Sequence, residues 1–326
     1  MPGYCILTAR NRQVAGTEVR GADLRSRRRA DARRGFSGPV RGAYRFPFPR
    51  PGVPAIVAPM TFMQALILGL FQGVSEFLPV SSSGHLLALR ELFGLSEVPR
   101  LFDVILHAAT LLSILVVFRA RIGGILAALA RWAARRGDVP AMDAENLALV
   151  PPALAATAVT AVMGLGIEKL LPVESPRIAS AFLLVTAALL IGSSRFRGTR
   201  GYGRLGLGRG ALIGLAQGIG VLPGISRSGI TISAGLAAGL DRDTAGEFAF
   251  LLAVPAVAGA LLLELKDLAD LGAAVAPAPL AVGFLAAFAS GIAALSLLMP
   301  LVRKGRLAWF AAYLIPAGLA GLFLFR

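Results

Sequence analysis

Beyond residue 60 the chain alternates long apolar runs with short polar breaks, and the run lengths set the first expectation. Six runs, near 102–119, 148–171, 178–194, 245–264, 278–300 and 307–325, are long enough or nearly so to cross a bilayer. A hydrocarbon core of roughly 30 Å takes about 20 helical residues. Two further apolar stretches, near 62–95 and 209–240, are interrupted halfway by polar segments, and each half is too short to cross alone. Irregular backbone at membrane depth is tolerated only where protein buries it or where it lines an aqueous cavity. The pattern therefore predicts an all-α polytopic membrane protein with six transmembrane helices and two re-entrant helix hairpins. Two kinked spanning helices are the plainer alternative.

The expected order is a hairpin and three spans, then a second hairpin and three spans. Three is odd, so the second unit enters the bilayer upside down relative to the first. This predicts an inverted repeat with halves at about 60–195 and 205–326, and interrupted segments at corresponding positions mark the binding site of such a design. The two hairpins enter from opposite faces, so their loops can meet in the interior. Basic residues test the orientation. Arg119, Arg121, Arg131, Arg135 and Arg136 follow the first span; Arg195, Arg197, Arg200, Arg204 and Arg209 precede the second hairpin; Arg303, Lys304 and Arg306 precede the last span. All three clusters fall on one side, which the positive-inside rule makes cytoplasmic, with both termini outside.

Composition agrees with this reading. Apolar residues make up 56% of the chain and charged ones 16%, and mean hydropathy is +0.72. A soluble protein of this length carries more charge on its surface. The net charge of +15 does not point to nucleic acid, because residues 1–59 hold twelve Arg against Glu18, Asp23 and Asp31, a net of +9. The remaining +6 (15 minus 9) suits basic cytoplasmic loops. The stretch 1–59 lacks the apolar core of a signal peptide. It is either a disordered basic arm on anionic headgroups or a segment upstream of a true start at Met60 or Met63. The late start is the favoured expectation, since outside termini would otherwise require export of an arginine-rich arm. The single cysteine, Cys5, excludes an internal disulfide.

The two polar breaks carry the chemistry. The first, Gln72 to His85, holds Glu76, the hydroxyls of Ser81, Ser82 and Ser83, Gly84 and the imidazole of His85. The second, Gln217 to Gly229, holds Ser226, Arg227 and Ser228 between Gly224 and Gly229. The Gln-Gly pair precedes the closing glycine by the same interval in both copies, 72 to 84 and 217 to 229. Ionisable groups at membrane depth are paired, protonated or functional. Glu76 is thus expected either protonated against backbone, paired with Arg227, or bound to a cation. The serine run resembles an anion-binding turn at a helix start, although serines also cap helices with no chemical role. One serine becomes a nucleophile if a base lies within reach, and His85 is the candidate base. A guanidinium among small residues suits bidentate phosphate binding. Asp103 and His107, four residues apart, share a helical face and read as helix-end polar residues. Glu247 is expected at the membrane interface. Trp132, Trp309 and Tyr313 are expected as interfacial anchors.

Gln72-x-x-x-Glu76, the following Phe77-Leu78-Pro79-Val80-Ser81-Ser82-Ser83-Gly84-His85 and the later Pro223-Gly224-Ile225-Ser226-Arg227-Ser228-Gly229 together resemble the bacterial undecaprenyl-diphosphatase family of the bacitracin-resistance type. Phe248-Ala249-Phe250-Leu251-Leu252-Ala253-Val254-Pro255 is similar to that family's helix after the second motif. The resemblance covers about 60–326 and leaves 1–59 outside. It implies hydrolysis of undecaprenyl diphosphate to the monophosphate outside the cytoplasmic membrane, recycling a lipid carrier for cell-wall polymers. It implies Glu76 as catalytic residue and metal ligand, Ser82 as nucleophile, His85 as its base or acid, and Arg227 as the diphosphate clamp. Gln72, Ser81, Ser83, Gly84, Ser226, Ser228 and Gly229 complete the expected substrate contacts. Position 72 is Gln where the family pattern admits Glu or Gln, which puts a second acidic metal ligand in doubt. The expected cofactor is a divalent cation, Mg or Ca. Expected partners are the prenyl diphosphate lipid and membrane lipids, with no nucleic acid; a homodimer stays open. A prenyl-phosphate transporter or flippase is the competing class, because inverted repeats with re-entrant hairpins are also a transporter design.

Overall fold

A computed structural model of the chain describes residues 60–92, 100–134, 140–170, 175–267 and 276–325. Both expectations for residues 1–59 lie outside the described residues.

The polar breaks in the sequence become breaks between helices. Helix α1 (Phe62–Phe77) opens on a capping box, in which Thr61 Oγ1 accepts from the Gln64 N–H and Gln64 Oε1 accepts from the Thr61 N–H at 2.9 Å. It ends at Leu78-Pro79, and α2 (Ser82–Leu92) starts four residues on. There follow α3 (Arg100–Val117), α4 (Arg119–Ala134), α5 (Ala144–Leu170), α6 (Pro176–Ser193), α7 (Gly206–Ile219), α8 (Arg227–Ala237), α9 (Arg242–Asp267), α10 (Pro277–Arg303) and α11 (Ala311–Leu324). Helix α11 continues a 3-10 turn at Leu307–Phe310. The described residues form an all-α fold. Among the described residues five helices are long and apolar enough to cross a membrane, or six if α3 and α4 count as one bent span. The chain is an integral multi-pass membrane protein.

One expected loop is a helix. The basic stretch after the first span forms α4, bent by 74° from α3. Ile122, Ile125, Leu126 and Leu129 recur at helical spacing along it, so it has an apolar side to bury. Its arginines are tied down. Arg131 grips Asp143 through two bonds of 2.8 and 2.6 Å, and Arg121 Nε lies 2.6 Å from Glu247 Oε1. Arg135 and Arg136 lie outside the described residues. Glu247, expected at the membrane interface, joins this ion pair and accepts from the Tyr202 hydroxyl at 3.0 Å. The Arg121 guanidinium covers the Tyr202 ring at 4.9 Å. Burial, reinforced by the Glu247 charge, pushes the Tyr202 phenol up.

Glycines set the closest packing. Helix α1 lies on α10, where a side chain at Gly73 would collide with Ala287 O, and α7 lies on α5, where one at Gly214 would collide with Ala156 O. Close backbone approach through small residues is the usual means of association where lipid removes the hydrophobic drive. The outer ends of α1 and α2 gather with the starts of α3 and α10 around Met60, Leu89, Phe102 and Leu280. The outer ends of α7 and α8 lie at the other end of the molecule. There Arg200 bridges to Leu240, and Arg303 Nε donates to Asp243 at 2.8 Å. The inner ends of both broken pairs therefore point at each other.

Candidate active site

The two breaks touch in the interior. The Gly224 N–H donates to Ser81 Oγ at 3.0 Å, and the Ser228 hydroxyl approaches Leu78 O at 3.5 Å. Gly84 packs against Gly224, with space for a Cβ only 3.0 Å from the Gly224 backbone, and Gly229 packs on Pro79. Gly224 itself has φ +94°, a conformation that glycine alone adopts without strain. Ser81 is the sole non-glycine at positive φ among the described residues (φ +70°). Its strain is offset by its position, because the same hydroxyl also accepts from the Gly84 N–H at 3.4 Å and so holds both loops. Ser81 is buried and turned into this junction rather than into open space. On the second loop, Thr186 of α6 donates to Gly224 O at 2.9 Å and accepts from the Ser226 N–H at 3.1 Å. Ser226 Oγ caps α8 through the Gly229 N–H at 3.1 Å and pairs with Ser228 Oγ at 3.2 Å.

At this crossing stand the two charged side chains of the motifs. Arg227 at the start of α8 forms an ion pair and hydrogen bond with Glu76 at the end of α1. The Glu76 side chain is 6% exposed and that of Arg227 25%. The second carboxylate oxygen, Oε2, accepts from Ser82 Oγ at 2.6 Å and from Gln72 Nε2 at 3.2 Å. A carboxylate so surrounded is held in one orientation by three donors from three segments. Helices α2 and α8 both begin here, and the partial positive charge of a helix start favours an anion. Ser83 is exposed beside this point, at the second residue of α2.

His85 stands elsewhere. Its Nδ1 lies 2.8 Å from Ser81 O and its Nε2 lies 2.7 Å from the Tyr313 hydroxyl. A carbonyl only accepts, so Nδ1 carries the proton and Nε2 accepts from Tyr313. The ring also stacks on Tyr313 and lies against Phe71, both at 5.6 Å between centroids. The expectation that His85 serves Ser82 as base is therefore not met in this geometry. The Ser82 hydroxyl donates to Glu76 instead, and both imidazole nitrogens are occupied. Tyr313, expected as an interfacial anchor, is the partner of His85. No spacing along the chain links residues on α2 and α11. Asp103 pairs with Arg90 of α2, while His107 Nδ1 contacts the Asp103 carbonyl at 3.0 Å and lies within electrostatic range of Glu76. Thr186 was likewise missed, since one hydroxyl in an apolar span carries no signature.

The donor set bears on a cation. Among the described residues there is no cluster of three His, Cys, Asp or Glu. Gln72 Oε1, however, is buried without a partner beside the Glu76 carboxylate and the Ser82 hydroxyl. Hard oxygens of this kind fit Mg or Ca where a diphosphate supplies the remaining ligands.

The family described as bacitracin resistance protein BacA matches residues 65–320. The protein named undecaprenyl-diphosphatase from Treponema denticola is 45% identical over 260 residues, covering 80% of this chain and 96% of its own length. Proteins of the same name from Rhodopirellula baltica (42% identical, 79% of this chain, 95% of its own) and Korarchaeum cryptofilum (38%, 81% and 100%) are also similar.

Proposed function

The chain belongs to the bacitracin resistance protein BacA family, and from that premise we infer that it acts on undecaprenyl diphosphate. It is an undecaprenyl-diphosphatase: it removes the terminal phosphate, yielding undecaprenyl phosphate and inorganic phosphate, and returns the carrier to cell-wall synthesis. The observation that carries the assignment onto this chain is the Glu76–Arg227 pair with Ser82 donating to the same carboxylate.

In our reading Ser82 Oγ attacks the terminal phosphorus in line with the bridging oxygen. The Oγ–P bond forms, the P–O bond to the bridge breaks, and undecaprenyl phosphate leaves with the electron pair. Glu76 takes the Ser82 proton as general base. Protonation neutralises Glu76 and frees Arg227 to grip the phosphoryl oxygens, so proton transfer and charge stabilisation are coupled. The Glu76 proton passes to the departing undecaprenyl phosphate, so the carboxylate is again a base. Water then attacks the phosphoserine, Glu76 takes its proton, the P–Oγ bond breaks, and Glu76 returns that proton to Ser82 Oγ as inorganic phosphate departs. Positioning and electrostatics supply most of the effect in phosphoryl transfer. A divalent cation held by Glu76, Ser82 and Gln72 would neutralise charge on the diphosphate oxygens.

The placement of α1–α2 and α7–α8 supports two re-entrant hairpins in an inverted repeat spanning 60–326. The basic ends at Arg121, Arg200 and Arg303 support a cytoplasmic-membrane orientation with the α1–α2 end outside. The test is phosphate release from undecaprenyl diphosphate by purified protein in detergent, with and without chelator. Release without any gradient supports hydrolysis. No release, with movement of intact lipid across vesicles, would identify a transporter.

A further inference from the structure

We propose that the prenyl chain of the substrate lies in the groove between α5 and α9 and enters it sideways from the outer leaflet, a proposal that rests on the diphosphatase reading above. A cavity of about 470 Å³ runs along this seam, within the range of about 300–1,000 Å³ that small-molecule pockets occupy. Its inner end is Arg227, the residue paired with Glu76, so the groove is continuous with the phosphate site. Beside Arg227 lies Gln217, 1% exposed. Its Nε2 makes only long bonds, 3.3 Å to Thr160 Oγ1 and 3.4 Å to Leu252 O, and its Oε1 has no partner. A buried amide left short of partners at the inner end of the groove fits a polar head arriving there.

The walls are mostly apolar and cut away, with Thr157, Thr160 and Glu264 the polar side chains besides Gln217 and Arg227. Gly259 of α9 faces open space, with nothing within 4 Å of a Cβ added there. Gly164 opposite, on α5, meets only Val221 at 3.4 Å. At the outer end Leu262 and Leu263 are 63% and 46% exposed, the expected face toward lipid. Comparison of the two repeat halves shows that the fold does not require this opening. The inverted repeat makes α3 and α10 the counterparts of α9 and α5. The α3–α10 pair is closed: Phe102 fills the space beside Gly283, and Ser113 Oγ donates to Phe288 O at 3.0 Å. Among the described residues the α9–α5 pair, the one that reaches Arg227, is held apart by a cavity of about 470 Å³.

The experiment fills the groove. Gly259→Phe and the gentler Gly259→Leu are compared with Val162→Phe, which alters an exposed position of α5 outside the groove. Purified proteins are assayed for phosphate release from undecaprenyl diphosphate. They are also photolabelled with a prenyl diphosphate carrying a diazirine midway along its chain. The expected result is a KM raised about tenfold or more with little change in kcat, as lost uniform binding predicts. Wild-type label should fall on peptides 157–165 and 255–264 and be lost in Gly259→Phe, with Val162→Phe unaffected. Wild-type KM in both Gly259 variants, or label on other helices, would overturn the groove while leaving the diphosphatase reading intact. A change in oligomeric mass in the Gly259 variants would instead make the groove a seam between copies and also overturn the proposal. Absence of phosphate release by the wild type would remove the underlying activity itself.

Discussion

The Arg227 guanidinium and the Glu76 carboxylate, 151 residues apart in the chain, are paired in the interior where the two interrupted segments cross. Each charge is tolerable there because of the other. Breaking a buried pair costs about 3–5 kcal/mol, since one charge is left without compensation. Arg227→Ala should therefore lower the melting temperature, and adding Glu76→Gln to it should restore much of the loss without restoring phosphate release. Arg227→Lys keeps the charge but loses the planar fork, and kcat/KM should fall roughly 10²-fold.

Adjacent serines should separate structure from chemistry. Ser82 donates to Glu76, whereas Ser81 accepts from Gly224 and Gly84 across the loop junction. Ser82→Ala should abolish most turnover and leave the melting temperature near wild type. Ser81→Ala should cost about 1–3 kcal/mol of stability by leaving buried N–H groups unsatisfied. Thermal melts and phosphate release on the same preparations read both effects.

The Tyr313 hydroxyl donates to His85 Nε2 at 2.7 Å. Tyr313→Phe removes one neutral hydrogen bond and keeps the stacked ring, so kcat should drop by less than about tenfold. A loss as deep as that of Ser82→Ala would mean that His85 takes part in proton transfer through this pair.

Gly224 and Gly259 should respond oppositely to alanine. At Gly224 φ is +94° and an added Cβ would collide with Ala179 O. At Gly259 a Cβ meets nothing within 4 Å. Gly224→Ala should prevent stable folding or inactivate the enzyme, while Gly259→Ala should fold with unchanged melting temperature, as circular dichroism would report.

What the chain discloses in advance follows physical cost. Glu76 and Arg227 stood out because charge in an apolar run must find a partner, and the spacing of the two Gln-Gly segments pointed to paired halves of one site. The long runs marked α5, α6, α9, α10 and α11 because the bilayer fixes their length. Helix α4 was hidden by its arginines, which look like a loop until Glu247 and Asp143 are placed beside them. The direction of His85 was hidden for a similar reason. One turn of α2 brings it near Ser82 in sequence, yet its partner Tyr313 lies 228 residues away and only packing chooses between them. The α5–α9 groove leaves no mark in hydropathy, since a wall facing a lipid chain and a wall facing the bilayer have the same composition.

The most direct test of a single diphosphate site built from both segments is single-turnover phosphate release from undecaprenyl diphosphate by wild type, Glu76→Gln and Arg227→Ala, each first shown to be folded. The account predicts that the Glu76→Gln rate falls by about 10²–10⁴-fold, as loss of a general base does, and that Arg227→Ala falls by at least about 10²-fold. Wild-type release by either folded variant would contradict it.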